Sequence, residues 1–137
     1  MSIAIEHLIP HRPPMCWLKT LEECTATTAT ATACFAEDDF AVADGKILET
    51  ALVECVAQTV AAALGQRAQA GGGKPEGAAN GMLVAASNFK IVSRPSAGEV
   101  LRIEIRETKR LGPMLLITGT ITCDGRAVAS GELSLYA

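Results

Sequence analysis

The chain has 137 residues, 49% of them hydrophobic and only 4% aromatic, and its formal net charge is −3. That length is one domain's worth with enough interior to fold alone, so residues 1–137 read as a single domain. The acidic balance argues against nucleic acid, which calls for a basic stripe; the opening Met-Ser-Ile-Ala-Ile-Glu-His has neither the basic flank nor the apolar core of a secretory signal, so a cytoplasmic protein is expected.

The stretch Glu6 to Pro14 is a proline-stiffened lead-in in which His11 sits between prolines with little backbone freedom. Met15 to Glu23 reads as a first strand anchored by Trp17. Thr25 to Phe35 reads as a second: Thr28, Thr30, Thr32 and Cys34 alternate with Ala29, Ala31, Ala33 and Phe35. The alanine face is small, which suits a helix packed close to a sheet, and the threonine face suits a half-exposed surface. Glu37 to Gly45 is a loop, with Asp44 as the expected N-cap of the helix that follows.

Ile47 to Ala70 is the helix around which the chain is organised. Apolar residues fall at Ile47, Leu48, Ala51, Leu52, Cys55, Val56, Val60, Ala63 and Leu64, and alanines fill most of the rest. A helix apolar nearly all round is buried, in a core or in lipid. Glu49 and Glu54 interrupt the run, so no membrane span is expected. The segment Gly71–Gly81 is a Gly-rich loop. The remainder is strand-rich: Leu83 to Val92, Val100 to Lys109, Met114 to Cys123 and Arg126 to Tyr136. The last three are joined by Leu111-Gly112-Pro113 and by Asp124-Gly125, a strong hairpin signal. Two strands, one buried helix and four strands joined by tight turns leave no room for a βαβ crossover. The expected fold is therefore α+β, a curved antiparallel sheet of about six strands wrapped around one long central helix.

Five cysteines (Cys16, Cys24, Cys34, Cys55 and Cys123) have no Cys-x-x-Cys spacing and read as buried free thiols. Two histidines without a His-x-x-x-His pattern predict no metal site. Gly71-Gly72-Gly73 is no P-loop, and no cofactor is expected.

Chemistry is expected where polar groups interrupt the helix. Thr50, Glu54 and Gln58 are four apart and stack on one face. A carboxylate on a greasy helix is costly unless paired or functional, and burial would favour its neutral acid, the profile of a general acid or base. A subunit seam in which Glu54 merely accepts hydrogen bonds is the other reading. Cys55 is a poorer candidate nucleophile, about 100° around the helix from Glu54.

Four stretches stand in order along the chain: Leu8-Ile9-Pro10-His11-Arg12-Pro13-Pro14-Met15, Glu54-Cys55-Val56-Ala57-Gln58, Phe89-Lys90-Ile91-Val92-Ser93-Arg94-Pro95 and Asp124-Gly125. With the order of elements, they resemble the hotdog-fold 3-hydroxyacyl-acyl-carrier-protein dehydratases over nearly the whole chain. It implies a hydro-lyase whose site lies at a two-fold interface, turning a 3-hydroxyacyl thioester into the trans-2-enoyl thioester in fatty-acid or polyene-type synthesis. The helix glutamate carries over to Glu54 and the glutamine to Gln58. The family's loop Gly-His-Phe-Pro does not carry over, since this chain has Asp39-Phe40-Ala41-Val42 there, so it looks like a divergent branch of the family. His11 is then the histidine expected to act with Glu54, one as base and one as acid, with Thr50 and Gln58 binding substrate and orienting them. Asp38 and Asp39 are possible substitutes for the loop histidine. Arg67, Lys90 and Arg94, together with Arg12, are candidate contacts for an acidic carrier protein. The expected partners are an acyl thioester on acyl carrier protein or coenzyme A, and further copies of the chain as a homodimer or trimer of dimers. A thioesterase, or an inactive subunit that binds acyl chains or completes a heterodimer, are the alternatives.

Overall fold

The computed structural model describes residues 3–5, 16–70 and 82–136. The lead-in with His11 and Arg12 and the loop Gly71–Gly81 lie outside the described residues. In chain order the elements are β1 (Ile3–Ala4), β2 (Leu18–Cys24), β3 (Thr28–Ala33), β4 (Val42–Ala43), β5 (Lys46–Ile47), α1 (Glu49–Ala70), β6 (Met82–Ile91), β7 (Leu101–Leu111), β8 (Met114–Cys123) and β9 (Arg126–Tyr136). The main sheet is antiparallel, in the order β1-β2-β3-β7-β8-β9-β6, and α1 packs chiefly on β2, β3 and β7.

Alternation decides which face meets the helix. On β3, Ala29, Ala31 and Ala33 are buried, and on β7 so are Leu101, Ile103 and Ile105. The partners of that register, Arg102, Glu104 and Arg106, are exposed. A one-residue slip would turn every one of these side chains over. No residue from 51 to 67 of α1 is exposed, so the helix is held by packing on all sides rather than by its own propensity.

The start of the helix differs from the sequence expectation. Asp44 is not its N-cap. Asp44 and Gly45 both have positive φ, 54° and 75°, and form the two-residue turn of the β4–β5 hairpin, in which Val42 pairs with Ile47. This is the turn chemistry of Asp124-Gly125 (φ 50° and 77°) used a second time. Ile47 is thereby a strand residue, its N–H donating to the Pro95 carbonyl at 2.9 Å, and α1 begins at Glu49. The five cysteines are all free, but only Cys55 and Cys123 are buried; Cys16, Cys24 and Cys34 are half-buried.

A polar latch ties the β6–β7 connection to the β8–β9 hairpin. Glu99 Oε1 accepts from the Ser96 N–H at 2.8 Å; its Oε2 accepts from Cys123 Sγ at 3.1 Å and from Arg126 Nη2 at 2.8 Å. The Ser96 N–H most, then the Cys123 thiol and the Arg126 guanidinium, hold the Glu99 carboxyl below the ordinary glutamate value. A carboxyl depressed in the folded state adds stability above its unfolded value and loses it as pH falls through the folded one. Glu99→Gln is therefore less stable than the parent at neutral pH. The gap between them closes as pH drops below the usual glutamate value of about 4.3, as urea denaturation across that range will read.

Candidate active site

The N-terminal half of α1 and the loop before it form an open cleft of about 480 Å³, lined by the apolar side chains of Trp17, Phe40, Ala41, Leu48 and Ala51, with Thr50 and Glu54 as its polar groups. Its size is that of a small-molecule pocket, mostly apolar with a few convergent polar groups. A second depression of about 320 Å³ on the outer face of the sheet is lined by threonines and by charges of both signs, among them Glu23, Arg102, Glu104 and Arg106.

The helical spacing of four delivers the polar stack as expected, but gives its members different surroundings. Thr50 is exposed at the cleft and Glu54 is half-buried in its wall. Gln58 is completely buried. Its Oε1 accepts from the backbone N–H of Trp17 at 3.1 Å and of Leu18 at 3.5 Å, and its Nε2 donates to Glu54 Oε1 at 3.4 Å. Gln58 thus caps the start of β2 with one end of its amide and steadies the carboxylate with the other. Gln58→Leu leaves two backbone N–H groups buried without this acceptor, a loss of about 1–3 kcal/mol in a denaturation experiment, and removes a support of Glu54.

Trp17 is the joint between sheet, helix and loop. Its ring stacks on Phe35 at 5.2 Å and meets Phe40 at 5.7 Å, tilted by 48°. Its indole Nε1 donates to Asp39 Oδ2 at 2.9 Å, while Asp39 Oδ1 accepts from the Ala41 N–H at 2.8 Å. The sequence marks Asp38 and Asp39 as carboxylates on the loop of the family histidine and Trp17 as a strand anchor, and does not single out Phe40 or Leu48 as cleft residues. The signal available was a large aromatic, Phe40, on a loop leading into the helix.

Cys55 does not face this chemistry. It is fully buried, and burial, followed by the neighbouring charge of Glu54, pushes its thiol far above the ordinary range, so it holds no thiolate to attack with. Two of the basic candidates are tied within the fold. Arg67 Nε donates to the Thr25 carbonyl at 2.9 Å and its Nη1 lies 3.9 Å from Glu107. Arg94 Nε donates to the Ile47 carbonyl at 2.8 Å and its Nη2 to that of Lys46 at 3.2 Å, bracing the β4–β5 hairpin just before α1. Lys90 is exposed on β6. Arg67 is also set about 20 Å along the helix axis from Glu54, at 1.5 Å per residue. Among the described residues, Glu99, Cys123 and Asp124 bring donor atoms close enough to share a cation, but none lines the cleft and Arg126 already neutralises Glu99.

A curved antiparallel sheet around one buried helix, with a cleft at the helix start, defines a hotdog-fold protein, and the comparisons with known proteins agree. The ApeP-like family, described as ApeP dehydratase, matches residues 3–137. The chain belongs to that family, and its function is dehydratase-like. The dehydratase heterocomplex ApeI:P from Xenorhabdus doucetiae superposes with a TM-score of 0.88 at 20% identity, over 99% of this chain and 91% of that one. The smu.793 protein from Streptococcus mutans, bound to acetyl CoA, gives a TM-score of 0.71 at 12% identity, over 95% and 94%. The PaaI protein of the E. coli phenylacetic acid degradation operon gives 0.68 at 10% identity, over 85% and 81%. These likenesses carry the fold. No protein of curated function matches the sequence. Among the described residues no helix is long and apolar enough to cross a membrane.

Proposed function

We propose that the protein dehydrates a 3-hydroxyacyl thioester, carried by acyl carrier protein or coenzyme A, to the trans-2-enoyl thioester in polyene-type or fatty-acid-like synthesis. The observation that carries the reading is Glu54, a half-buried carboxylate in the wall of an apolar cleft, steadied by a fully buried amide. The apolar wall suits an acyl chain, and family membership supports the reaction class.

The elimination needs two proton movements. A base takes the proton from C2, the electrons of that C–H bond form the C2=C3 double bond, and the C3–O bond breaks as an acid protonates the departing hydroxyl to water. Glu54 fills one of these roles and His11, from the retained front motif, the other. Thr50 at the cleft binds substrate, and Gln58 acts through Glu54. Lys90 is the basic residue best placed to meet a carrier protein, because the other described candidates are engaged within the fold.

The site is completed by a second hotdog subunit. β6 ends the sheet, its residues Ala85 to Asn88 are exposed, and from Met82 to Phe89 it carries no charge. Natural edge strands left so bare are ones that pair. A homodimer or trimer of dimers is one such assembly. The loop histidine of the family is absent here, the nearby Asp39 carboxylate is tied to Trp17, and this favours a second arrangement in which a competent partner subunit supplies the missing group. Incubation with a 3-hydroxyacyl thioester separates the readings. Enoyl thioester without free thiol is the expected product. Thiol release marks a thioesterase. Enoyl product formed only after mixing with a second hotdog subunit marks the completing role, and product in none of these conditions overturns the proposal.

A further inference from the structure

We propose that Asp39 is a positioning residue of the cleft, holding the Trp17 indole as the fixed wall against which the acyl group lies, and that it takes no part in proton transfer; this rests on the acyl-thioester reading above. Two observations lead to it. Both Asp39 oxygens accept hydrogen bonds from the protein itself, Oδ2 from the Trp17 indole at 2.9 Å and Oδ1 from the Ala41 N–H at 2.8 Å. Asp39 is not among the side chains lining the cleft, whereas Trp17, Phe40 and Ala41, the residues it holds or adjoins, all are. A general acid or base must come within hydrogen-bond reach of the proton it moves, and Asp39 presents no side chain to the cleft.

The geometry also gives the carboxylate a task. Phe40 is 59% exposed, and its ring leans on the Trp17 ring at 5.7 Å. Without the bond to Asp39 the indole keeps its stacking on Phe35 but loses the contact that fixes its edge and ties it to the loop carrying Phe40. Trp17 is also the residue whose backbone N–H is accepted by Gln58, which in turn donates to Glu54. One side chain is therefore joined at its backbone to the support of the reacting carboxylate and at its ring to Asp39. The carboxylate of Asp39 sets where the wall stands relative to Glu54.

Trp17 is the chain's single tryptophan, so its fluorescence reports this wall alone. Asp39→Asn keeps the shape but offers one acceptor oxygen for two donors. In the free protein its emission is expected to move to longer wavelength. Octanoyl-coenzyme A, which has no 3-hydroxyl to eliminate, is expected to bind about tenfold more weakly by calorimetry, and KM for 3-hydroxyoctanoyl-coenzyme A to rise about as much, with kcat within about threefold. In a Trp17→Phe background, where no indole N–H remains, Asp39→Asn is expected to add no further weakening. An unshifted emission, an undiminished affinity, or an effect that persists without the indole overturns the proposal, as does a kcat loss of about a hundredfold or more at constant KM, the sign of an acid–base role. If octanoyl-coenzyme A binds and the cycle holds while nothing is dehydrated, with or without a second hotdog subunit, the dehydratase reading fails and the positioning role stands. If the parent protein binds no octanoyl-coenzyme A, the positioning role falls, and product formation alone decides the dehydratase reading.

Discussion

Replacing Glu54 by Gln is expected to slow dehydration by about 10²–10⁴-fold, the range that a positioned acid or base contributes. The substitution keeps the size and shape of the side chain. Its amide oxygen still accepts from Gln58 Nε2, now 3.4 Å from Glu54 Oε1, so the helix and cleft are retained and the melting temperature changes little. What is lost is the capacity to take the C2 proton or to protonate the departing hydroxyl. The loss therefore appears in kcat, while octanoyl-coenzyme A still binds. His11→Ala is the companion variant; a comparable fall in kcat assigns it the second proton. If Glu54→Gln turns over at the parent rate, the half-buried carboxylate serves the seam and not the reaction. The assay follows enoyl thioester absorbance and, in parallel, free thiol, so that an effect on hydrolysis is not mistaken for one on elimination.

The parts of this molecule that could be read from the sequence are those whose signal is periodic. The alternation of threonine with alanine over 28–33 and of charge with Leu101, Ile103 and Ile105 fixes both strand and face, because the side-chain period of a strand is two. The helix was legible because its apolar residues fall at helical spacing, and Glu54 because it interrupts that apolar run. The β4–β5 hairpin was not, although it uses the same Asp-Gly turn as the β8–β9 hairpin. Its strands are two residues long, too short to show alternation, and an aspartate two or three residues before an apolar run looks like an N-cap. The roles of Arg67 and Arg94 were hidden for another reason. Their carbonyl partners stand 42 and 47 residues away, and nothing local distinguishes an arginine that braces a distant loop from one that waits for a partner. Asp39 is the same case: its relation to Trp17 spans 22 residues. Side chains that join distant elements are chosen by the tertiary structure, which is why the place of Asp39 on the loop of the family histidine pointed to a proton carrier and its contacts point to a brace.

The largest expected loss of stability comes from adding one methyl group. Gly119 on β8 and Gly131 on β9 are cross-strand partners, so both lie under the same face of the sheet. A Cβ built on Gly131 would sit 2.4 Å from Cγ and Cδ2 of Phe89, and one on Gly119 would sit 2.5 Å from Cγ1 of Val56. The Phe89 contact cannot be relieved at the tip of the side chain, because Cγ is the root of the ring. Nor can the backbone give easily: Asn88, at a positive φ of 54°, forms the bulge that aims Phe89. Gly131→Ala is expected to cost about 2–4 kcal/mol, since overpacking of a filled core typically costs 1–3 and occasionally more. That is on the order of 10 °C in melting temperature for a domain of this size. Phe89→Leu in the same background should recover part of the loss; no recovery would place the strain elsewhere. Gly119→Ala separates stability from activity. Val56 is β-branched on a helix, with one strongly preferred rotamer, so its methyl can yield only by lifting α1 off β8. Glu54 rides on that helix, and a displacement near 1 Å can cost about a hundredfold in rate. Measured per folded molecule, Gly131→Ala should therefore keep most of its turnover while Gly119→Ala should not.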